Sequence, residues 1–371
     1  MEGTLHAAPA NGAIRMIAVD MDGTLLGEDG QVSPRNFAAL LAAEAAGIDV
    51  VIATGRRHSY AMHILRPLGL PHATALVSSN GTITRTLGCR GAEPIASQLI
   101  ARAHLPPTTA LWLCAHLDEF RNSLVLTFDR VGPDGEDTRG ALVVEHIDEL
   151  NASIGRWMLA NEPYIARIDP IEDAIDPGRP DADAPIQMML CGTVERMARA
   201  EACLLECPGV SASGHPSGRS GATMNGSAGP PSAPSTARSY RDGVGRLPLT
   251  APSSWAGSSS LNESEPLITL HRTEYPGRDL SILDILPAGC SKGSAVLSLA
   301  AARGIAASQI LAIGDNWNDV SMLEVAGAAV LMDNAPEDLK ALARARGWRL
   351  GPSNRADGVA DAIEGTLTVT C

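Results

Sequence analysis

The sequence predicts an α/β fold: a Rossmann-like, doubly wound parallel-sheet core with an inserted α+β cap domain. The first observation is that short apolar runs alternate with helical stretches from Ile14 to about Arg85. The second is that the same alternation returns after Ser291, whereas the part between has a different texture. Strands separated by helices of this length imply a parallel sheet covered on both faces. The 371 residues are enough for two domains with cores of their own.

The core is assigned to residues 14–85 and 288–371. Ser33 can cap the first predicted helix and Gly47 can end it. The first segment is predicted to contain strands at Met16–Val19, Ile48–Ala53 and Ala75–Ser78, and helices at Pro34–Ala46 and Ser59–Leu68. The second segment is predicted to contain helices at Lys292–Arg303, Val320–Ala326 and Pro336–Arg346, and strands at Gln309–Ile313 and Ala328–Met332.

Residues 86–287 are assigned to the inserted cap domain. Segment 211–260 inside it is rich in Ser, Gly, Pro and Ala without apolar periodicity, so we expect disorder there. Residues 1–13 are expected to form a short flexible extension. The candidate elements of the insertion are strands at Leu124–Phe128, Ile165–Ile168, Ile186–Leu190, Ile268–His271 and Ser281–Leu286, and helices at Thr108–Phe120, Ile147–Leu159 and Val194–Leu205.

The composition predicts a soluble globular protein. Hydrophobic residues make up 45% of the chain and charged residues 19%, with 29 basic and 42 acidic residues and a net charge of −13. A nucleic-acid surface needs clustered Lys and Arg, so this charge argues against a nucleic-acid partner. No apolar run reaches the roughly 18 residues of a membrane span, and the N-terminus does not resemble a signal peptide. Seven cysteines without a Cys-x-x-Cys pair are expected to be free thiols, which predicts a cytoplasmic protein without zinc.

The most informative stretch is the apolar run from Met16 that ends in Asp20-x-Asp22-Gly23-Thr24. Residues two apart on an extended chain point to the same side, so the two carboxylates can face one small volume. Gly23 lets the chain turn away at once. Two such charges repel each other unless a cation or a shared proton lies between them. This arrangement suits metal-assisted chemistry on a phosphate, although the same string alone is also common in surface turns.

Three further polar motifs follow predicted strands or begin a helix. Thr54 ends one apolar run, Lys292 begins a helix, and Asp315 and Asp319 follow another apolar run. Ligands of open parallel sheets bind outside the carboxyl ends of the strands, so we expect these side chains to converge there. Each has an ordinary explanation by itself, as a strand end, a surface lysine, or turn and helix-cap residues. Their joint occurrence in this order favours a catalytic interpretation.

The residue types suit phosphoryl transfer. A carboxylate can attack phosphorus and divide hydrolysis into two easier steps. A second carboxylate can protonate the leaving oxygen and later deprotonate water. Mg²⁺ held by carboxylates neutralises the charge that would repel an anionic nucleophile from an anionic ester. A Thr hydroxyl and a Lys ammonium can hold the phosphoryl oxygens in the transition state.

Five motifs cover both core segments: Asp20-Met21-Asp22-Gly23-Thr24-Leu25, Ala53-Thr54-Gly55-Arg56, Ser79-Asn80-Gly81, Ser291-Lys292-Gly293 and Gly314-Asp315-Asn316-x-Asn318-Asp319. With the α/β periodicity, this set resembles the haloacid dehalogenase superfamily. Within it, the resemblance is to the Cof-type (subfamily IIB) phosphatases, whose large cap is inserted after the third core strand. Segment 211–260 is a departure from the family pattern.

The resemblance implies a role for each matching residue. Asp20 would be the nucleophile and Asp22 the general acid and base. The implied Mg²⁺ ligands are the side chain of Asp20, the backbone carbonyl of Asp22 and the carboxylate of Asp315, with Asp319 in support. The implied phosphate- and substrate-binding residues are Thr54, Gly55, Arg56, Asn80, Lys292 and Asn318.

The sequence therefore predicts a Mg²⁺-dependent phosphatase that hydrolyses a small phosphorylated metabolite through an aspartyl-phosphate, with the cap choosing the substrate. One alternative is a phosphotransferase or phosphomutase, in which a sugar hydroxyl accepts the phosphoryl group instead of water. More remote alternatives are a phospho-accepting signalling domain, which would be much shorter, and a non-catalytic binder that kept the motifs. The sequence does not specify the substrate or the oligomeric state.

Overall fold

The computed structural model describes most of the chain. The predicted extension 1–13 lies outside the described residues except for its last residue, and segment 211–260 lies outside them except for its first two. The described ranges are 13–71, 74–87, 89–90, 93–94, 97–132, 135–176, 178, 183–207, 209–212, 267–275 and 277–369.

Strands and helices alternate through the described residues. The strands are β1 (Met16–Asp20), β2 (Asp49–Ala53), β3 (Ala75–Ser78), β4 (Ile83–Thr86), β5 (Cys89–Arg90), β6 (Glu93–Pro94), β7 (Leu99–Arg102), β8 (Leu124–Thr127), β9 (Leu142–Val144), β10 (Ile165–Arg167), β11 (Gln187–Gly192), β12 (Val210–Ala212), β13 (Ile268–Glu274), β14 (Ser281–Pro287), β15 (Ile310–Gly314), β16 (Ala328–Met332) and β17 (Arg349–Gly351). The α-helices are α1 (Pro34–Ala45), α2 (His58–Leu65), α3 (Pro107–His116), α4 (Asp148–Ala160), α5 (Val194–Leu205), α6 (Lys292–Ala302), α7 (Val320–Val325), α8 (Glu337–Arg346) and α9 (Gly358–Val369).

Eight strands form the core sheet, in the order β17-β16-β15-β1-β2-β3-β4-β7. The strands from β17 to β3 run parallel, and β4 and β7 extend one edge through antiparallel pairings. From β1 the chain proceeds through β2 and β3 to one side, and it later returns to β15 and continues on the other side. The order therefore reverses between β1 and β15, the place where open parallel sheets bind ligands. This confirms the predicted doubly wound core.

The side chains of β1 alternate between two apolar layers. Ile17 and Val19 pack with α1, α2 and α9, whereas Met16 and Ala18 pack with α6, α7 and α8. Asp20 continues the second series, because side chains two apart share a face of the sheet. It is therefore directed to the side of the sheet that carries α6, whose first residue is Lys292.

Seven strands form a second sheet, in the order β10-β9-β8-β11-β14-β13-β12. Helices α3 and α5 cover one of its faces, and α4 covers part of the other. We call this sheet with α3, α4 and α5 the cap. Its strand β13 contacts the turn Trp317–Asp319 that follows β15. The cap therefore lies against the carboxyl end of the core sheet.

Several predicted elements have the observed bounds, and others end earlier. The strands β3 and β16 and the helix α5 coincide with their predictions. The predicted helix Ser59–Leu68 ends at Leu65 and tightens into a turn that contains Pro67, which removes a backbone donor. The predicted helix Thr108–Phe120 ends at His116, and a separate tight turn follows.

One strand of the range assigned to the insertion belongs to the core sheet. Strand β7 pairs with β4, although the sequence analysis assigns residues 86–287 to the cap. All four residues of β7 are exposed, so apolar alternation does not mark this strand. Strands β4, β5, β6, β9, β12 and β17 and helix α9 were also not predicted.

The contact between α6 and α7 predicts opposite effects for two helical glycines. A Cβ atom at Gly293 would lie 2.1 Å from the carbonyl oxygen of Ser321, whereas one at Gly155 in α4 would meet nothing within 4 Å. We expect Gly293→Ala to lower the free energy of unfolding by about 1–3 kcal/mol through overpacking. We expect Gly155→Ala to raise it by about 0.5–1 kcal/mol through helix propensity. Urea unfolding measures both, and an equal effect of the two substitutions would contradict the close packing of α6 on α7.

Candidate active site

A lysine and two carboxylates meet inside the protein at the carboxyl end of β1. Nζ of Lys292 donates hydrogen bonds to Oδ1 of Asp20 at 2.5 Å and to Oδ1 of Asp319 at 2.6 Å. Lys292 and Asp319 are 0% exposed and Asp20 is 4% exposed. One ammonium group is thus shared by two buried carboxylates, which satisfies charges that would otherwise be costly to bury.

Local structure holds Lys292 at the start of α6. The hydroxyl of Ser291 accepts a hydrogen bond from the backbone N–H of Ser294, and the hydroxyl of Ser294 accepts one from the N–H of Ser291. The turn at Gly81, with φ of +100°, packs so closely that a Cβ atom there would lie 2.2 Å from the Ser291 carbonyl oxygen. A lysine at a helix N-terminus opposes the helix dipole. The contacts with Asp20 and Asp319 offset that cost.

Burial and an excess of negative charge shift the pKa values of the cluster. Burial and the charge of Asp319 raise the pKa of Asp20 well above its usual range, although Lys292 opposes them. Burial lowers the pKa of Lys292, but the two carboxylates raise it overall, so the ammonium stays charged. Burial and Asp319 raise the pKa of Asp315 to about 7. Binding of a further cation would therefore favour the ionised carboxylates.

Asp315 is held by side chains that the sequence analysis did not assign. Thr24 donates its hydroxyl to Oδ1 of Asp315 at 2.8 Å, and Nδ2 of Asn334 donates to Oδ2 at 3.1 Å. Asn334 also donates to the carbonyl oxygen of Gly23 at 2.8 Å. Gly23 has a φ of +79°, and a Cβ atom there would lie 2.3 Å from Oδ2 of Asp315. Asn334 comes shortly after β16, so the rule of polar residues beyond strand ends was a signal that pointed to it.

Asp319 organises the loop after β15. Its Oδ2 accepts hydrogen bonds from the backbone N–H groups of Asp315 and Asn316, each at 3.0 Å. Its other oxygen accepts from Lys292. Asn318 lies half-buried in the same turn. The Asp319 carboxylate thus fixes both the loop that carries Asp315 and the position of the lysine.

Thr54 follows β2, next to the strand that carries Asp20. It is fully buried, and its hydroxyl accepts a hydrogen bond from the N–H of Arg56 at 3.1 Å. Its carbonyl oxygen accepts from the N–H of Asn80 at 3.1 Å, which joins this turn to the one after β3. Gly55 allows this close contact between the two turns, because a Cβ atom there would lie 2.9 Å from Oδ1 of Asn80.

Asp22 is the more exposed of the two carboxylates of the first motif. Arg56 binds it through two nitrogens, Nε to Oδ2 and an Nη to Oδ1, each at 2.6 Å. The Arg56 guanidinium also lies 4.0 Å from the centre of the Tyr60 ring. The two Asp side chains therefore have different partners: Asp20 contacts the buried lysine, and Asp22 contacts an arginine at the edge of the site.

Asn80 connects the core to the cap. Its Nδ2 donates to Oδ2 of Asp284 in β14 at 2.9 Å, and Nε2 of Gln187 in β11 donates to Oδ1 at 2.5 Å. Asp284 is buried with amide partners, and burial raises its pKa to about 7 although both hydrogen bonds lower it. From the sequence, Asn80 was expected beside the substrate; in the structure, its amide is directed to the cap. Asp284 was not predicted as a site residue.

The structure thus brings Asp20, Lys292, Asp315 and Asp319 into one cluster, with Thr54 on the adjoining strand end. Ligand oxygens of Asp20, Asp315 and Asp319 lie within 4.8 Å of one another. Carboxylate oxygens are the ligands that Mg²⁺ prefers, and their raised pKa values favour a cation between them. These residues fit a magnesium ion.

A sequence model of the haloacid dehalogenase-like hydrolases matches residues 17–128 and 270–363, more than half of the chain. The chain belongs to this family. Both matched ranges contain the motifs of the cluster, and the gap between them falls in the cap. The resemblance noted from the sequence is thereby confirmed at the level of the superfamily.

Three relatives illustrate the similarity. The chain is 27% identical over 352 residues to the chloroplastic endoribonuclease YBEY of Arabidopsis thaliana, covering 94% of this chain but only 45% of that protein. It is 42% identical over 87 residues to the 5-amino-6-(5-phospho-D-ribitylamino)uracil phosphatase YwtE of Bacillus subtilis, covering 24% of this chain and 29% of that protein. A solved haloacid dehalogenase-like hydrolase from B. subtilis has the same fold, with a TM-score of 0.62, 22% identity, and coverage of 95% and 99% of the two chains.

None of the helices in the described residues has the length and apolar character needed to span a membrane.

The buried carboxyl of Asp284 predicts a pH dependence of stability. Its pKa is raised from 3.8 to about 7 on folding, so the protein loses stability as pH rises through that window. We expect Asp284→Asn to remove this loss, which amounts to on the order of 4 kcal/mol at 1.36 kcal/mol per pKa unit. Urea unfolding at pH 5 and pH 8 measures the upper part of this window, in which the expected loss is about 2–3 kcal/mol. Asp29→Asn in an exposed turn is the control, and equal pH slopes for Asp284→Asn and the unsubstituted protein would contradict the assignment.

Proposed function

We propose that this protein is a Mg²⁺-dependent phosphatase that hydrolyses a small phosphate monoester through an aspartyl-phosphate on Asp20. The observation that carries the proposal is the buried cluster at the switch point of the core sheet. There, Asp20 and Asp319 share Lys292, and Asp20, Asp315 and Asp319 lie close enough to hold one metal ion. A network of salt bridges that served stability alone would not need three buried carboxylates around one ammonium.

In the first step, a carboxylate oxygen of Asp20 attacks phosphorus while the bond from phosphorus to the leaving oxygen breaks. Asp22 gives a proton to that leaving oxygen. In the second step, Asp22 takes a proton from water, whose oxygen attacks the same phosphorus. The bond from phosphorus to Asp20 then breaks, which releases inorganic phosphate and restores both carboxyl groups.

The other residues bind and orient. Lys292 holds the attacking carboxylate in place and contributes positive charge toward the phosphoryl oxygens, with the Thr54 hydroxyl beside it. Mg²⁺ would be held by the side chains of Asp20 and Asp315 and the backbone carbonyl of Asp22, with Asp319 in support. When bound, it would neutralise the charge that separates an anionic nucleophile from an anionic ester. Gly55 and Asn318 would lie near the phosphate, and Arg56 and Asn80 near the rest of the substrate.

A small phosphorylated metabolite as substrate is supported by two observations. Strand β13 of the cap contacts the turn Trp317–Asp319 at the carboxyl end of the core sheet, so a substrate at the cluster would lie between the core and the cap. The relative that acts, by its name, on a phosphorylated ribitylaminouracil shares 42% identity over 87 residues. A cytoplasmic location belongs to the same proposal. A panel of sugar, nucleotide and cofactor phosphates identifies the substrate, and product analysis with a phosphorylated sugar separates hydrolysis from transfer to a second hydroxyl.

Removal of the nucleophile tests the assignment of Asp20. We expect Asp20→Asn to lower kcat/KM for an aryl phosphate by about 10⁴-fold or more, because no aspartyl-phosphate can form. The amide oxygen can still accept from Lys292, so the fold should persist, which circular dichroism checks. Asp49→Asn is the matched control, since Asp49 begins the neighbouring strand β2 at the other end of the sheet. Full activity of Asp20→Asn would overturn the assignment.

Metal dependence tests the cluster separately. We expect chelation with EDTA to abolish hydrolysis, and Mg²⁺ to restore it and raise the Tm. In Asp315→Asn a charged ligand becomes a neutral amide, so the Mg²⁺ concentration for half-maximal activity should rise about tenfold or more. Thermal melts with and without Mg²⁺ report binding independently of turnover. Undiminished activity after exhaustive chelation would contradict the proposed magnesium site.

A further inference from the structure

Two adjacent arginines connect the candidate active site to the cap. Arg56 binds the Asp22 carboxylate through two nitrogens. Arg57, the next residue, points to the cap and binds Asp137, which lies between β8 and β9, and Asn161, which directly follows α4. The two adjacent side chains therefore have partners on different sides, and one short turn holds both the Asp22 carboxylate and the cap.

The contacts of Arg57 are buried and specific. Its side chain is 10% exposed and that of Asp137 is 5% exposed. One guanidinium nitrogen donates to Asp137, another donates to Oδ1 of Asn161 at 2.5 Å, and the guanidinium lies 5.0 Å from the centre of the Tyr164 ring. Burial lowers the pKa of Arg57, and Asp137 opposes that effect. A planar guanidinium with three such partners has one orientation, which a lysine cannot reproduce.

Backbone hydrogen bonds make this turn rigid. The N–H of Arg56 donates to the Thr54 hydroxyl at 3.1 Å, and the carbonyl oxygen of Arg56 accepts from the N–H of Ser79 at 2.8 Å. On the cap side, the hydroxyl of Ser59 accepts from the N–H of Asp137 at 2.7 Å. A displacement of the cap at Asp137 would therefore be transmitted to Arg56 through few rotatable bonds.

A second ion pair joins the same parts of the molecule without touching this turn. Arg66, in the turn after α2, binds Oε1 of Glu136 at 2.8 Å, with side chains that are 36% and 21% exposed. Arg66 thus binds the same cap segment as Arg57, because Glu136 is the residue next to Asp137. This pair is therefore a matched comparison for Arg57: it has the same kind of partner on the same segment, but it is distant from Thr54 and Arg56.

We propose that Arg57 is a positioning residue for the general acid. By holding the cap at Asp137 and Asn161, it fixes the turn that carries Arg56, and through Arg56 it fixes the place of the Asp22 carboxylate. The role rests on the proposed phosphatase function, in which Asp22 gives a proton to the leaving oxygen. Arg57 itself does not contact the reacting atoms.

Leaving groups of different basicity test this role. A phenolate with strong electron withdrawal leaves without protonation, whereas an alkoxide needs the acid. We therefore expect Arg57→Gln to lower kcat/KM for a simple alkyl phosphate about tenfold more than for p-nitrophenyl phosphate. A merely structural defect would lower both values by the same factor. Because kcat/KM reports the step that forms the aspartyl-phosphate, slow hydrolysis of that intermediate does not affect the comparison.

Three variants complete the experiment. Arg66→Gln should leave the alkyl-to-aryl ratio of kcat/KM at its wild-type value. Arg57→Gln in an Asp22→Asn background should cause no further loss of that ratio, because the acid is already absent. If Arg57→Gln does not fold, Asn161→Ala removes one partner of Arg57, together with the hydrogen bond from Asn161 to the Trp157 carbonyl oxygen, without removing the Asp137 partner of the buried guanidinium. It should lower the ratio by a smaller factor.

The outcomes separate this inference from the proposed function. If the wild-type protein hydrolyses neither ester, the proposed phosphatase function fails. If it hydrolyses both, and neither Arg57→Gln nor Asn161→Ala changes the ratio, the positioning role is overturned and the function stands. An equal change of the ratio in Arg66→Gln would also overturn it, because any loosening of the cap would then suffice.

Discussion

The buried ammonium of Lys292 is the interaction on which the site depends. It lies between Asp20, at the end of β1, and Asp319, in the loop after β15, and so joins the two strands at which the sheet order reverses. Without it, two carboxylates would be left in a medium where like charges repel strongly. Burial and the remaining excess of negative charge raise the pKa values of Asp20 and Asp315. The same imbalance that costs stability leaves three carboxylates, those of Asp20, Asp315 and Asp319, close enough to hold a cation.

The cap is joined to this cluster at two different places. Asn80 and Gln187 meet on the Asp284 carboxylate, directly above the turns that follow β2 and β3. Arg57 and Arg66 hold the segment between β8 and β9 against α2, and Arg85 binds Asp129 of that segment at 2.6 Å. Because these contacts are mostly buried charged hydrogen bonds, they fix orientation as well as proximity. The core and the cap are thus arranged so that both sides of the site have defined positions.

The sequence predicted the core well because its signals are local. The alternation of apolar runs and helices located β1, β3, β16 and α6 within a residue or two, and the strand-end rule brought Asp20, Lys292 and Asp315 together. Asp284 and Arg57 were missed because their importance lies in partners that are far away in the chain. Asn334 follows β16, so the strand-end rule could have located it. The exposed edge strand β7 was missed for a different reason: nothing apolar marks it. Local sequence patterns predict helices and strands. Contacts between residues that lie far apart in the chain become visible only in the structure.

The path by which the chain returns from the cap limits how this enzyme can be redesigned. Strand β14 ends at Pro287, and the lysine of the cluster follows after only four intervening residues. The carboxylate that anchors the cap to Asn80 lies on that same strand. A chimaera that exchanges one cap for another must therefore keep β14 with the recipient core and make its second splice upstream of Ser281. Strand β14, the last strand of the cap, is in this sense a structural extension of the core: it carries Asp284, the partner of Asn80, and leads directly to Lys292.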